Sequence, residues 1–452
     1  MWGNGAVCSL APFRQKGTDM KRLLCILLSS GLFLCLTACH AGTEQPSVTN
    51  MTDPAERQTE ADNTEQQTNS GVDDIRLLTL EKTLHTYYEW VEDSDLMLVR
   101  SENACVTLGQ KDTEAFPALA EALGQIAVMQ ENTMLDEFDN LVAFAKEEQD
   151  INPDGFETYV STLNVHVRRA DNLVVSLYTD SYSHYGQIEN FRVLGGSNFD
   201  PQSGRMLQLN DVVNVNNDLA IAVENAIRTP VWSGDFSSET AVQDYFANTP
   251  YDGFNWTVDY YGITFYFSAG DISDDGNLTA TVLFEEYPKL FNENYVAAPT
   301  EYAVEIPLDS SIHAELDTNG APQTISVSGW YNEERDHYMD YGIYINGDEQ
   351  CYEECFVYRL HPYFVKTENG NYVYLFCEDF QEGWREMQLV VFSLNADGSI
   401  TKTGEMNVSP YWSADNQFII PTDPGHLILN DAGSDTEPAE YAVGDDGMPV
   451  GT

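Results

Sequence analysis

Apolar residues recur at helical spacing along one long stretch of the chain, and this spacing is absent from its second half. Between Phe116 and Ala145 they follow one another at intervals of three or four residues, which places them on one face of a helix. A break near residues 132–133 would divide this stretch into two helices. After about Pro299 the helical spacing stops and short apolar runs replace it. This change of period predicts a part that contains helices, followed by a part made of strands.

Strands are predicted on both sides of the helical stretch. Runs rich in β-branched and aromatic residues occur at 77–90, 96–108, 159–167, 173–179, 256–258, 264–267 and 278–284. Two short amphipathic stretches, 216–227 and 240–246, are predicted helices. For residues 75–296 we therefore expect an α+β domain, in which helices accompany a mostly antiparallel sheet.

The second half of the chain predicts a mostly β domain at residues 297–430. Short strands recur there, and turn pairs such as Asn346-Gly347 and Asp397-Gly398 separate some of them. The pattern is typical of a sandwich or a partial propeller and does not decide between them. Residues 431–452 are acidic and contain Gly and Pro, and we expect them to form a disordered tail.

Acidic residues greatly outnumber basic ones. The chain has 452 residues, with 73 Asp and Glu against 21 Lys and Arg, and a formal net charge of −52. This balance excludes binding to nucleic acid by charge neutralisation, which needs a basic face. It leaves a cationic partner, a neutral ligand or a metal ion as candidates.

The beginning of the chain has the pattern of an export signal. Basic residues at Lys21 and Arg22 precede the apolar run Leu23–Leu36, which is too short to span a membrane permanently. The ending Leu-Thr-Ala-Cys, with Cys39 last, resembles the bacterial lipobox, in which this cysteine receives lipid. The alternative is an ordinary signal peptide in which Cys39 is incidental.

These features predict an extracytoplasmic protein that is lipid-anchored at Cys39 to the outer face of the bacterial cytoplasmic membrane. Residues 1–38 would comprise an upstream extension and the signal peptide. Residues 39–74 are polar and lack large apolar side chains, so we expect a disordered tether.

Four cysteines follow the tether, at Cys105, Cys351, Cys355 and Cys377. Outside the cytoplasm disulfides are permitted, and four cysteines allow three pairings, between which the sequence does not choose. Buried thiols or one C-terminal disulfide are the favoured interpretations. A zinc cluster is disfavoured because there is no Cys-x-x-Cys pair.

No catalytic signature stands out in the chain. It contains no His-Glu-x-x-His, no Gly-x-Ser-x-Gly and no phosphate loop. Two segments, 150–155 and 271–276, resemble the start of a calcium loop, but Ser161 and Val282 stand where the bidentate Glu is expected. We interpret both as acidic turns. The sequence thus predicts a protein that is not an enzyme and has no cofactor or metal.

Two aromatic clusters are candidate ligand-binding residues. The stretch 330–364 mixes aromatic and acidic residues, and the candidates within it are Trp330, Tyr331, Tyr338 and Tyr341. Such residues can stack on sugar rings or bind Lys and Arg side chains, although strands that bury their aromatics are the simpler interpretation. The second set is Tyr182, His184, Tyr185 and Glu189, for which a strand end is the simpler interpretation.

Residues 155–290 resemble a known extracellular domain. The strings Asn198-Phe199-Asp200, Ser203-Gly204-Arg205 and Leu209-Asn210-Asp211-Val212, after a Tyr-rich strand, are similar to those of RsiV-type anti-sigma factors. The same domain forms the non-catalytic part of PdaC-type peptidoglycan deacetylases. That family usually has Gly-Gly-Ala-His after the Tyr-rich strand, whereas this chain has Gly186-Gln187-Ile188-Glu189, so no role of that histidine transfers.

The resemblance implies a binding domain that faces the cell envelope. In RsiV the partner is lysozyme, a cationic protein, and the sign of this chain's charge agrees. A lipobox protein has no cytoplasmic segment to bind a sigma factor. We therefore expect a surface lipoprotein whose non-catalytic domain binds a cationic protein such as lysozyme, or another envelope component. A cell-wall carbohydrate-binding module is the alternative, and an enzyme acting on envelope polymers is a weaker one.

Overall fold

The fold is mostly β. The computed structural model describes residues 75–186, 190–228, 234–274, 276–308, 310–316, 322–332, 335–381, 384–410, 417–431 and 438–452. Strands account for 47% and helices for 21% of the structure, in several sheets. Strand therefore dominates more than the α+β prediction implied, because long strands also fill much of the N-terminal half. The predicted signal peptide, Cys39 and tether lie outside the described residues.

A six-stranded sheet forms the first layer. Its strands are β1 (Leu80–Trp90), β2 (Met97–Leu108), β3 (Tyr159–Ala170), β4 (Val175–His184), β5 (Phe191–Phe199) and β19 (Gln417–Ile420). The spatial order is β19-β1-β2-β3-β4-β5. Only β2 and β3 are parallel in this sheet, because the connection between them crosses over through a helix. The strands predicted at 77–90, 96–108, 159–167 and 173–179 are confirmed.

One long helix makes the crossover. The short helix α1 (Gln110–Thr113) precedes α2 (Pro117–Ile151), which buries apolar side chains such as Leu119, Met134 and Leu141. The predicted break near 132–133 is wrong, because Met134 and Leu141 extend the same buried face and no proline follows Pro117 within the helix. Within the described residues, neither this helix nor any other has an apolar stretch long enough to cross a membrane.

A three-stranded sheet with short helices follows. It consists of β6 (Trp256–Val258), β7 (Gly262–Phe267) and β8 (Leu278–Leu283), with the helices α3 (Leu209–Val212), α4 (Asn217–Arg228), α5 (Ala241–Asn248) and α6 (Glu293–Val296). The predicted helices at 216–227 and 240–246 are confirmed as α4 and α5. Asn216 caps α4, since its Oδ1 accepts the backbone N–H of Asp218 at 2.9 Å. Buried Val223, Trp256 and Phe265 belong to the core between sheet and helices.

Two antiparallel sheets face each other in the C-terminal half. The strands are β9 (Tyr302–Glu305), β10 (Ser311–Ala314), β11 (Gln323–Asn332), β12 (His337–Ile345), β13 (Asp348–Val357), β14 (Arg359–Lys366), β15 (Asn371–Gln381), β16 (Trp384–Leu394) and β17 (Ile400–Met406). One sheet has the order β10-β11-β12-β13 and the other β17-β16-β15-β14-β9. Val327 and Ile343 from the first sheet share a core with Phe364 and Phe392 from the second. This arrangement is a sandwich rather than a partial propeller.

The last residues are folded where the sequence predicted disorder. Strands β18 (Val408–Ser409), β20 (Leu427–Asp431), β21 (Ala439–Val443) and β22 (Pro449–Gly451) form a four-stranded sheet. The Tyr374 hydroxyl donates a hydrogen bond to the carbonyl of Gly447, whose φ of +85° favours glycine. These contacts attach the tail to β15, so the disorder predicted for 431–452 is wrong for the described part.

The predicted boundary between residues 296 and 297 is crossed by pairing. Strand β19, from the C-terminal half, pairs with β1, and the buried Lys82 of β1 forms an ion pair with Glu305 of β9. The range Arg76–Thr452 forms one compact unit. The spacing of apolar residues could not indicate that the two halves pair, because β1 and β19 are far apart in sequence.

Candidate functional site

The solvent-facing side of the four-stranded sheet β10–β13 exposes large aromatic rings. Trp330, Tyr352 and Phe356 are 58%, 52% and 50% exposed. Successive side chains of a strand point to opposite sides of a sheet, so these rings lie on the side away from the buried core. Together with Asp340 and Glu354 they define what we call the aromatic face.

Asp340 lies at the centre of the aromatic face. It is directly opposite Trp330 on β11 and directly opposite Glu354 on β13. The backbone N–H of Trp330 donates to Asp340 Oδ1 at 3.1 Å, and the Tyr352 hydroxyl donates to Oδ2 at 2.9 Å. This hydrogen bond raises the pKa of Tyr352, because it stabilises the protonated phenol. The Tyr352 ring is thereby held beside the carboxylate, and the backbone of Trp330 is bound to its other oxygen.

Asp340 and Glu354 form a pair of like charges. Directly opposed side chains on one side of an antiparallel sheet have Cβ atoms about 4.5–5.5 Å apart, and like charges at that distance destabilise the pair. Among the described residues, no Lys or Arg forms an ion pair with either carboxylate. The acidic pair therefore lacks an internal counter-charge and favours an external cation.

Gly342, two residues after Asp340, leaves room for an aromatic ring next to the acidic pair. A Cβ atom at Gly342 would lie 2.8 Å from the hydroxyl oxygen of Tyr344, so the Tyr344 ring lies across this position. The Tyr344 hydroxyl in turn approaches Glu349 at 3.4 Å. The aromatic face thus continues along β12 as an aromatic and acidic surface.

A histidine lies next to Phe356, at the other end of the aromatic face. The ring of His337 stacks on Phe356, with centroids 4.2 Å apart and an interplanar angle of 11°. Nδ1 of His337 lies 2.6 Å from the carbonyl oxygen of Arg335, and Nε2 lies 3.8 Å from Asp379. The stack holds Phe356 in place while leaving half of its surface exposed.

The four predicted aromatics of this region do not lie together on the surface. Trp330 belongs to the aromatic face. Tyr331 and Tyr338 are in ring contact at 5.1 Å, and Tyr338 packs against the core of the sandwich. Tyr341 is 3% exposed, and its hydroxyl donates to Glu353 at 2.7 Å.

Sequence reasoning missed Tyr352, Glu354 and Phe356 as site residues. The signal was present, because they occupy alternate positions of one predicted strand and share one side of it. The opposite alternation, Cys351, Glu353 and Cys355, faces inward. Two irregularities of β12–β13 pairing, near Tyr338 and near Tyr344, obscured which tyrosines would join them.

The second predicted cluster is the end of β4. Tyr182 is partly exposed, whereas Tyr185 is 6% exposed and its ring contacts that of Tyr159 at 5.8 Å. Nδ1 of His184 lies 2.6 Å from Asn190 Oδ1, and Nε2 lies 3.3 Å from Glu157. Glu189 lies outside the described residues. The histidine is held by neighbouring side chains at a strand end.

Cysteines and acidic turns form no metal centre in the part of the chain that the structure describes. No group of three or more His, Cys, Asp and Glu side chains has the geometry to hold an ion there. The four cysteines are free thiols, and burial raises the pKa of Cys105 and Cys377 to about 12. The segment 150–155 is a helix end followed by a 3-10 turn, and Asp271 closes its own turn by accepting the Ser268 N–H at 2.7 Å.

Part of this chain is similar to solved structures of the DUF3298 family. No family model and no curated protein matches the chain. A DUF3298 family member from Bacteroides fragilis NCTC 9343 is 13% identical, with 48% of this chain and 94% of that chain covered and a TM-score of 0.36. A DUF3298 family protein from Pseudomonas aeruginosa PAO1 is 14% identical, with 51% and 100% covered and a TM-score of 0.33. DUF3298 is the family of the RsiV/PdaC-like extracellular domain.

Proposed function

We propose that this protein is an exported, lipid-anchored binding protein without catalytic activity, and that it captures a cationic protein through the aromatic face. The observation on which the proposal rests is the pair Asp340 and Glu354, opposed on one side of the sheet and flanked by exposed Trp330 and Tyr352. A Lys ammonium or Arg guanidinium placed between the carboxylates would relieve their repulsion.

The two rings would add to this attraction. A cation over an exposed aromatic ring gains about 0.5–1 kcal/mol, and more where water is excluded. Trp330 and Tyr352 flank Asp340, whose two carboxylate oxygens accept the backbone N–H of Trp330 and the hydroxyl of Tyr352. Because the Tyr352 ring is positioned before a partner arrives, it would lose little side-chain freedom on binding.

Net charge supports a cationic partner over a neutral one. A formal charge of −52 would attract a basic protein from a distance and speed encounter, in a way that salt weakens. Lysozyme is the partner that the RsiV-like resemblance suggests, and it is the cationic protein that we propose to use first.

The site itself contributes no evident machinery for catalysis. Its carboxylates lie on an open sheet surface rather than in a shielded pocket. General acid–base catalysis needs a group that is positioned within hydrogen-bond reach of a bound substrate. A binding role therefore fits this geometry better than an enzymatic one.

The experiment is a pull-down of the soluble folded part with lysozyme at low and at high salt. The proposal expects retention at low salt that falls steeply as salt rises, because the contacts are between exposed charges. A neutral protein of similar size is the control. Failure to retain lysozyme at low salt would remove lysozyme as the partner.

Anchoring is tested separately. Replacing Cys39→Ala should release the protein from bacterial membranes into the medium, because the acyl chains would no longer be attached. A matched Cys105→Ala variant should stay with the membranes, since Cys105 is buried in the fold.

A cell-wall carbohydrate is the second candidate ligand. Three exposed rings on one open sheet surface are the feature that favours it, because sugar rings stack on such surfaces. Retention on peptidoglycan should then persist in high salt and weaken in Trp330→Ala. Binding to a cationic protein should instead depend on both salt and the carboxylates.

A further inference from the structure

Two consecutive arginines are buried at an irregularity of the six-stranded sheet. Val167 of β3 pairs with Leu177 of β4, and Arg169 pairs with Ser176, so that Arg168 is an extra residue in β3. The side chains of Arg168 and Arg169 are 2% and 0% exposed. Bulges of this kind redirect side chains and are frequent beside functional sites.

All three nitrogens of the Arg169 guanidinium donate hydrogen bonds within the fold. Its Nε donates to Asp171 at 2.7 Å, Nη1 donates to the carbonyl of Tyr295 at 2.7 Å, and Nη2 donates to the carbonyl of Ala297 at 2.8 Å. These bonds attach α6 and the residue that follows it to the sheet. A structural role accounts for this arginine.

Arg168 is much less well matched. Its Nη2 lies 3.2 Å from Asp259 Oδ2, both Nη atoms lie 3.5 Å from the carbonyl of Ser311, and Nε has no hydrogen-bond partner among the described residues. The other Asp259 oxygen is used by its own turn, where it accepts the N–H groups of Tyr261 and Gly262 at 2.8 Å. Buried guanidinium groups are rarely left with such long bonds, because burial without partners costs free energy.

A second buried polar atom without a partner comes from another sheet. His313 lies two residues after Ser311 on β10, on the same side of the strand, and its Nδ1 has no partner among the described residues. Burial lowers the pKa of His313 and so does the charge of Arg168, while Asp259 opposes them. The imidazole is therefore neutral at pH 7 and can donate one hydrogen bond.

Aromatic residues lie close to these polar groups. The rings of Tyr178 and Tyr266 stack at 4.7 Å, and the Tyr266 hydroxyl is bonded to Thr257 at 2.8 Å. The charge of Arg168 acts on both tyrosines and opposes the rise of their pKa values that burial causes. Arg168 thus has its charge paired with Asp259, has an Nε without a partner among the described residues, and acts electrostatically on two stacked tyrosines.

We propose that Arg168 and His313 form a binding site for a small carboxylate ligand. The planar N–H donors of a guanidinium match the two oxygens of a carboxylate. A spherical anion such as chloride matches these donors less well. His313 would donate a further hydrogen bond from Nδ1. The site shares no residue with the aromatic face. Its test is therefore independent of the function proposed above.

Acetate is the probe for this site. Thermal unfolding of the full chain is followed in sodium acetate and in sodium chloride of equal ionic strength. Acetate is expected to raise Tm by about 2–4 °C at concentrations well above Kd, and the rise should follow ln(1 + [acetate]/Kd) with a Kd on the order of 1–10 mM, which a ligand of four heavy atoms can reach. Equal Tm values in both salts would overturn the proposal, because bridging water would then suffice for both atoms.

Variants assign the effect to the two residues. Arg168→Lys keeps the charge but removes the planar fork, and is expected to raise the Kd for acetate obtained from the Tm series at least about tenfold. Arg205→Lys is the control, since Arg205 is a surface arginine bound to Asp211 at 2.8 Å, and it should leave the acetate effect unchanged. If circular dichroism shows that Arg168→Lys does not fold, His313→Phe at its partly exposed position decides, with an expected loss of about threefold or more. An acetate effect that survives in the folded variants contradicts the site.

Discussion

Two carboxylates of this protein illustrate how the same side chain serves different purposes. Glu305 is buried and fully partnered, because it contacts Lys82, accepts the N–H of Val167 at 2.6 Å and accepts the hydroxyl of Tyr363 at 3.3 Å. Asp340 lies at the surface, and the donors bound to it among the described residues are neutral. The first arrangement stabilises the fold, whereas the second leaves a negative charge available to a partner.

Removing Glu305 should therefore destabilise the protein strongly. Glu305→Gln would leave Lys82 buried and charged without its partner, and we expect the free energy of unfolding to fall by about 3–5 kcal/mol. Urea denaturation measures the change. The double variant Lys82→Met with Glu305→Leu is the control and should lose less, because no charge stays unpaired. A single variant as stable as the natural chain would contradict this assignment.

Acid should weaken the same interaction. Burial alone raises the pKa of Glu305, but Lys82, His166 and the hydrogen bonds outweigh burial, so that its pKa in the folded protein is lowered. A lowered pKa contributes stability that is present above the unfolded value of about 4.3 and is lost as pH falls through the folded value. Urea titrations between pH 7 and pH 3 should show this loss in the natural chain and a smaller one in the double variant.

At the scale of elements, the spacing of apolar residues predicted most helices and strands correctly. It did not predict which distant strands pair with each other. The interval of apolar residues identified α2 and α4, and alternation identified β1 to β4, because both signals are local. Which sheet a strand joins depends on partners elsewhere in the chain. The sequence therefore indicated short strands in residues 297–430 but not that one of them, β19, pairs with β1.

The sequence predicted the composition of the candidate site but not its arrangement, because the arrangement depends on strand pairing. Its aromatic and acidic composition was visible in residues 330–364, whereas the side of the sheet on which each ring lies depends on register. The pairing of β11 with β12 shifts between Trp330 and Tyr331, and that of β12 with β13 shifts near Tyr338. Trp330 is opposite Asp340 and Tyr341 is opposite Gly329, so that Trp330 and Tyr341 point to different sides of the sheet, and neither strand alone indicates this register.

Two glycines in different elements should respond to alanine in opposite ways. A Cβ atom at Gly196 of β5 would lie 2.1 Å from the carbonyl oxygen of Trp256, so Gly196→Ala should lower the unfolding free energy by well over 1 kcal/mol. Gly124 of α2 has no atom within 4 Å of such a Cβ, so Gly124→Ala should raise it by about 0.5–1 kcal/mol. Chemical denaturation of both variants tests the packing of β5 against β6, and equal effects would contradict it.

At the scale of the whole molecule, the two halves of the chain stabilise each other. β19 covers the edge of β1, Glu305 neutralises Lys82, and Arg169 binds the segment that joins the halves. The sequence predicted separate domains because the spacing of apolar residues changes after Pro299 from a helical to a strand pattern. The structure shows this change of secondary structure, but the two halves still pack against each other.

A chain that ends at residue 296 should therefore fail to fold cooperatively. It would lose the neighbour of β1 and would leave Lys82 without its carboxylate. Circular dichroism and urea titration of residues 75–296 should show a broad transition or none. A sharp transition at a stability close to that of residues 75–452 would instead support an independent N-terminal domain.

The aromatic face is tested most directly by the affinity for lysozyme of a variant that lacks its two charges. Asp340→Asn with Glu354→Gln should weaken binding at low salt at least about tenfold, because a partner cation would lose both carboxylates. Glu285→Gln with Glu286→Gln removes equal charge from another exposed segment and should change affinity only slightly. Calorimetry on both variants gives the comparison. Equal affinities for the two would contradict the account, since net charge rather than this face would then determine binding.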